Sequence, residues 1–120
     1  MPKLLVHVTC GPEDPTRAAL AFLVAKSALE EGHEVTMFLA GDGVQLLRDE
    51  VLDHLSGLGT GSLRAHYDAL VAGGVRLHVS GMSAAARGVG DAALADKPVE
   101  RSMPAVLVRL VMEADRTLVY

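Results

Sequence analysis

The strongest constraint on this chain is a set of short apolar runs that leave no polar face for water. Residues 4–9 are almost continuously apolar, and residues 33–40 and 75–79 read as further buried strands. A half-exposed strand alternates apolar and polar positions, whereas a continuous apolar strand must be covered on both sides, as in a parallel sheet. The segments between the runs have helical length and helical punctuation. Gly11-Pro12-Glu13-Asp14-Pro15 breaks the first strand, with Asp14 placed to cap a helix and Pro15 suited to its first position. That helix is expected over residues 16–31, ending at Gly32.

Gly41-Asp42-Gly43 then turns the second strand into a short helix over 44–48. Residues 49–61 are expected to be the least regular part, and Gly57-Leu58-Gly59-Thr60-Gly61 follows no strand and lacks the lysine of a phosphate-binding loop. Ser62 is placed to cap a helix reaching residue 72, which Gly73-Gly74 ends. A short strand is expected over 98–101, a helix capped by Ser102 over 103–114, and a last strand over 116–120. Strands alternating with helices, each strand apolar, predict an α/β fold. Its form is a three-layer α/β/α sandwich around a mostly parallel sheet of about four or five strands, as one domain over residues 1–120.

Composition narrows the function classes. The net charge of −4, with no Lys/Arg cluster, argues against a nucleic-acid or anionic-membrane partner. No apolar stretch approaches the ~18 residues of a membrane span, so the chain is expected to be soluble and cytoplasmic. The single cysteine, Cys10, excludes an intrachain disulfide and a multi-cysteine zinc site. The five histidines share no ligand spacing, so neither a metal nor a cofactor is expected. His7 and His78 read as hydrogen-bonded core histidines. With only 3% aromatic residues and no Trp, the core must be built from Ala, Val, Leu and Met. Residues 18–25 and 105–112 are apolar nearly all round, Arg109 apart. Either both helices lie deep in the core, or they cover a partner; a homo-oligomer is the expectation, with these helices as candidate interface.

Three turns follow strands and share one edge of a parallel sheet, which brings Cys10, Asp42 and Ser80 towards each other. The candidate ligand-binding set is Cys10, Gly11, Asp42, Gly43, Ser80, Gly81, Met82, Ser83 and Arg87. Cys10 and Ser80 are its candidate reactive residues. Cys10 is either a small buried hydrophobe or a reactive thiol, the latter if a helix dipole or Arg87 lowers its pKa. Asp42 can serve the turn or bind a substrate donor, and Arg87 can meet a small anionic ligand or a carboxylate of a neighbouring subunit. Ser80 has no base visible in the sequence, and an unactivated hydroxyl is a weak nucleophile.

Four pieces together resemble the DsrE/DsrF-like family, named for small subunits of bacterial sulfur-relay systems. They are residues 9–18 from Thr9-Cys10-Gly11-Pro12; Gly32-His33-Glu34-Val35 with residues 38–44; residues 80–88; and the closing Ala114-Asp115-Arg116-Thr117-Leu118-Val119. The resemblance implies a parallel α/β/α sandwich and assembly as trimers or hexamers. The family's sulfur carriers place a cysteine after the third strand, in a pattern resembling C-G-x-[S/C]-x-x-A-R-G. Gly81, Ser83, Ala86, Arg87 and Gly88 match it, while Ser80 stands in the cysteine's place. A serine oxygen cannot form the sulfur–sulfur bond of a persulfide carrier. The resemblance therefore implies a non-catalytic binding or assembly subunit, with itself or with a cysteine-bearing relative as partner. The alternative is a sulfurtransferase in which Cys10 acts as a displaced persulfide-forming thiol.

Overall fold

The structure, a computed structural model, describes residues 2–120. Strands β1 (Lys3–Val8), β2 (Glu34–Leu39), β5 (Arg76–Ser80), β6 (Val99–Ser102) and β7 (Arg116–Val119) form one sheet in the order β6-β5-β2-β1-β7. Every pairing in it is parallel. The chain steps from β1 to β2 to β5 to β6 in one direction and then returns across the sheet to lay β7 against β1. Right-handed crossovers that step in opposite directions lie on opposite faces. Helices α1 (Pro15–Glu30) and α3 (Leu63–Ala72) therefore share one face, and α6 (Pro104–Glu113) alone crosses the other.

The two faces differ accordingly. Val6, Val8, Val35, Met37, Leu39, Leu77 and Val79 alternate onto the first face, where they pack with Ala18, Ala21, Phe22 and Ala25 of α1 and Leu63, Tyr67 and Leu70 of α3. Leu5 and Phe38 alternate onto the second face and are buried there, outside that main core. The α1 helix begins as its sequence predicts: the Asp14 side chain accepts from the Arg17 amide, and Pro15 opens the helix. Gly32, at φ +90°, supplies the left-handed turn that leads into β2.

Several expectations need correction. Residues 49–61 are ordered: α2 (Asp49–His54) is followed by a two-strand ladder, β3 (Ser56–Gly57) with β4 (Gly61–Ser62). An acidic first turn and His54 in the last turn suit the helix dipole of α2, a signal that the glycines beyond it obscured. The short helix after β2 is a 3-10 helix, η1, over Gly41–Leu47, beginning at Gly41 rather than at the expected Val44. Ser102 does not cap α6; it ends β6, the capping position falls on Met103, and no side chain caps the helix. The remaining helices, α4 (Gly81–Ala86) and α5 (Asp91–Leu94), are short.

The two apolar helices also part company. α1 buries five residues and so belongs to the core, with Leu20 left 37% exposed on its outer side. α6 buries none: Val108 is 57% exposed, Met112 81%, and Val111 and Met103 are exposed as well. No helix among the described residues is long and apolar enough to cross a membrane. Truncating Phe22, fully buried between α1 and the sheet, is expected to cost about 3–5 kcal/mol of stability. Leu58→Ala, at a 93% exposed side chain, is expected to shift the chemical-denaturation midpoint negligibly beside it.

Candidate functional site

Because β5, β2 and β1 are neighbours in the sheet, the turns leaving them sit side by side at its carboxyl edge. Backbone contact draws two of them together. Gly11 lies so close to the Asp42 carbonyl, and Gly43 to the Val8 carbonyl, that a Cβ at either position would collide with main chain. Hydrogen bonds tie in the third turn. The Gly41 amide donates to Ser83 Oγ at 2.9 Å, and Arg87 Nε donates to Asp42 Oδ1 at 2.9 Å. Arg87 Nη1 also donates to the Ser83 carbonyl at 3.3 Å, while Arg48 Nη2 donates to the Arg87 carbonyl at 2.9 Å.

Ser80 occupies the N-cap position of α4, with extended backbone. Its Oγ accepts from the Ser83 amide at 3.1 Å, and the residue is only 8% exposed. The hydroxyl is therefore engaged in holding the turn. Gly81 has room for a Cβ beside the Ser102 carbonyl, and Met82 projects outward, 60% exposed. Arg87 is paired within its own chain. Asp42, its partner, makes no side-chain cap on η1. The pair is largely exposed, so its worth to stability is about 0–1 kcal/mol.

The conditions for an activated Cys10 are not met. Burial pushes the thiol up, the Glu13 and Asp14 carboxylates push it further, and the opposing pull of Arg17 is smaller. Arg87, bonded to Asp42, is not among the charges acting on Cys10. Glu13 is itself fixed, both of its carboxylate oxygens lying 2.8 Å from the Gly11 amide. Among the described residues no group of three or more His, Cys, Asp or Glu side chains is placed to hold a metal ion.

The histidines divide. His66 is buried with Nε2 2.6 Å from the Thr60 carbonyl, and His54 Nδ1 lies 2.8 Å from the Glu50 carbonyl, both within local structure. His78 is a hydrogen-bonded core histidine, its Nδ1 2.8 Å from Ser102 Oγ. His7 departs from that expectation, since its buried Nε2 has no partner. Three stitches of the edge had no signal in the sequence: Glu13 on the Gly11 amide, Ser83 on Gly41, and Arg48 on the Arg87 carbonyl.

With its pKa raised, Cys10 is expected to react with iodoacetamide at neutral pH more slowly than a free thiol of pKa about 8.5. Glu13→Gln removes one of the charges holding the thiolate down and is expected to speed that reaction. Alkylation rates measured against pH decide it; a wild-type rate above that of a free thiol contradicts the geometry.

The architecture is shared with solved structures of low sequence identity. The E. coli YchN protein matches with a TM-score of 0.79 at 17% identity, all of each chain being covered. A conserved protein of unknown function from Bacteroides thetaiotaomicron matches with a TM-score of 0.73 at 13% identity, covering 98% of this chain and 94% of that one. No curated protein sequence matches the chain. The sequence model of the DsrE/DsrF-like family matches residues 3–120. On that match, together with the all-parallel sandwich and the three converging turns, the chain belongs to the DsrE/DsrF-like family.

Proposed function

We propose that this chain is a non-catalytic, cytoplasmic member of its family that works as a subunit of an assembly. It presents a shaped carboxyl edge without a sulfur-carrying atom. The observation that supports this reading best is Ser80, whose Oγ caps α4 where the family resemblance implies a carrier cysteine. A carrier needs a thiolate that attacks a sulfur donor and later leaves again, and an alcohol provides no such exchange. The raised pKa of Cys10 tells against its taking over that role. An anionic ligand at this edge would compete with Asp42 for Arg87, so binding there is the lesser part of the proposal.

Assembly is supported by α6 and β7. Val108, Val111 and Met112 on the helix, and Val119 on the same face of the sheet, are exposed apolar side chains. Large exposed apolar patches usually mark partner sites. A second copy of the chain, in a trimer or hexamer, or a cysteine-bearing relative would cover it.

Two measurements test the reading. After treatment with a persulfide donor, intact-mass spectrometry is expected to show no added sulfur on the wild type and one added sulfur on Ser80→Cys. Addition to the wild type that Cys10→Ala abolishes would establish the displaced-thiol carrier instead. Sedimentation at micromolar concentration is expected to show an oligomer that Val111→Asp converts to monomer; a monomeric wild type removes the self-assembly part.

A further inference from the structure

The second sheet face carries one row in which titratable and aromatic rings alternate. His7, Phe38 and His78 are direct register partners on β1, β2 and β5, with Val119 and Glu100 continuing the row at its two ends. The His7 ring meets Phe38 edge-on, centroids 5.9 Å apart and planes at 81°. Phe38 and His78 lie nearly parallel, 6.0 Å apart at 10°. Among the described residues the only crossover above this row is α6, which has no buried residue, and its Leu110 shares with His78 the lining of a groove of about 480 Å³. We infer that the His7–Phe38–His78 row is a proton-sensitive latch for α6. Neutral rings let the helix seat on the sheet, and protonation releases it together with the apolar surface it carries. The link to assembly rests on the function proposed above; the latch itself does not.

The two histidines respond unequally. A protonated imidazole has two N–H donors, and a buried cation without acceptor or counter-charge is strongly disfavoured. His7 Nε2 is buried without a partner, and burial alone lowers its pKa, with no charged group contributing. Its row neighbours, Phe38 on β2 and Val119 on β7, are apolar. His78 is lowered chiefly by burial. Glu100 on β6, with Oε2 3.4 Å from Nδ1, opposes this, and Arg76 on its own strand reinforces it. The charged residues of α6, Arg109 and Glu113, are exposed and are not among the charges acting on either ring. His7 is thus the more sensitive element, and Glu100 partly compensates His78.

The sign follows. Both seated-state pKa values lie below the ordinary histidine value. The latch is therefore fully closed above about pH 6.5 and is lost progressively as pH falls below it, because the released state takes up protons that the seated state refuses.

Amide hydrogen exchange across α6, corrected for the intrinsic pH dependence of exchange, reads the latch. Between pH 7.5 and 5.5 the wild-type opening constant is expected to rise by up to about tenfold in total for each histidine. His7→Phe keeps an edge-on ring against Phe38 and is expected to remove its share of that slope; His78→Gln removes the rest. A flat wild-type profile, or a slope that survives in the double variant, overturns the latch. So does acceleration of the β1 and β2 amides in step with α6, which would mean global unfolding. Sedimentation at both pH values is expected to show acid dissociation of the assembly. A monomer at both overturns the link to assembly while leaving the exchange slope as an independent reading of the latch.

Discussion

The direction in which the crossovers step is the constraint behind most of what this molecule does. Three successive right-handed connections move the same way across the sheet, so their helices accumulate on one face, and the single return connection must cover the other. The first face can be packed as a conventional core, with α1 and α3 set against valine, leucine and methionine. The second has one ten-residue helix to cover it. Leu5 and Phe38 are buried there, yet no residue of α6 is. A helix that buries so little of itself holds its place by few contacts, which sets it at the low end of the range of local stability.

That asymmetry also decides which side chains the second face tolerates. A fully packed apolar layer would exclude His7, Thr36, Arg76 and His78, all of which alternate onto it. Ring-on-ring contact with Phe38 lets both histidines sit there while neutral, since an aromatic neighbour offers edge and face contacts without needing a charge. The same arrangement offers no partner for a second proton on His7, whose buried Nε2 is unpaired. Weak cover and neutral rings are therefore two expressions of one topology.

Much of this was legible in the chain. Continuous apolar runs at 4–9, 33–40 and 75–79 implied strands covered on both faces, and the Asp14-Pro15 start of α1 was written in capping chemistry. The carboxyl edge was legible as a consequence of parallel topology, so the approach of the turns that carry Cys10, Asp42 and Ser80 followed without any contact being known. Three things were not. The α2 helix was obscured because a glycine-rich stretch follows it directly, and six residues carry too little periodicity to outweigh that. Ser102 looked like a helix cap because serine before an apolar run usually is one, but its register opposite Ser80 makes it a strand residue that meets His78. The difference between α1 and α6 depends on strand order. α1 shares its face of the sheet with α3, whereas α6 crosses its face alone.

The position of Ser80 ties the fold to the function proposed for this edge. Serine is among the best N-cap residues, and its Oγ here accepts from the Ser83 amide. Ser83 in turn holds Gly41 through its own Oγ, and its carbonyl receives Arg87. The turn that would have to present a thiol is thus braced by a hydroxyl that serves structure directly. A sulfur atom at the same point would be a weaker hydrogen-bond partner but a competent nucleophile. Stability and reactivity ask for different atoms at this one position, and this chain carries the atom that favours stability. Its edge keeps a fixed shape because each of the three turns is anchored to another, whether or not any group there reacts.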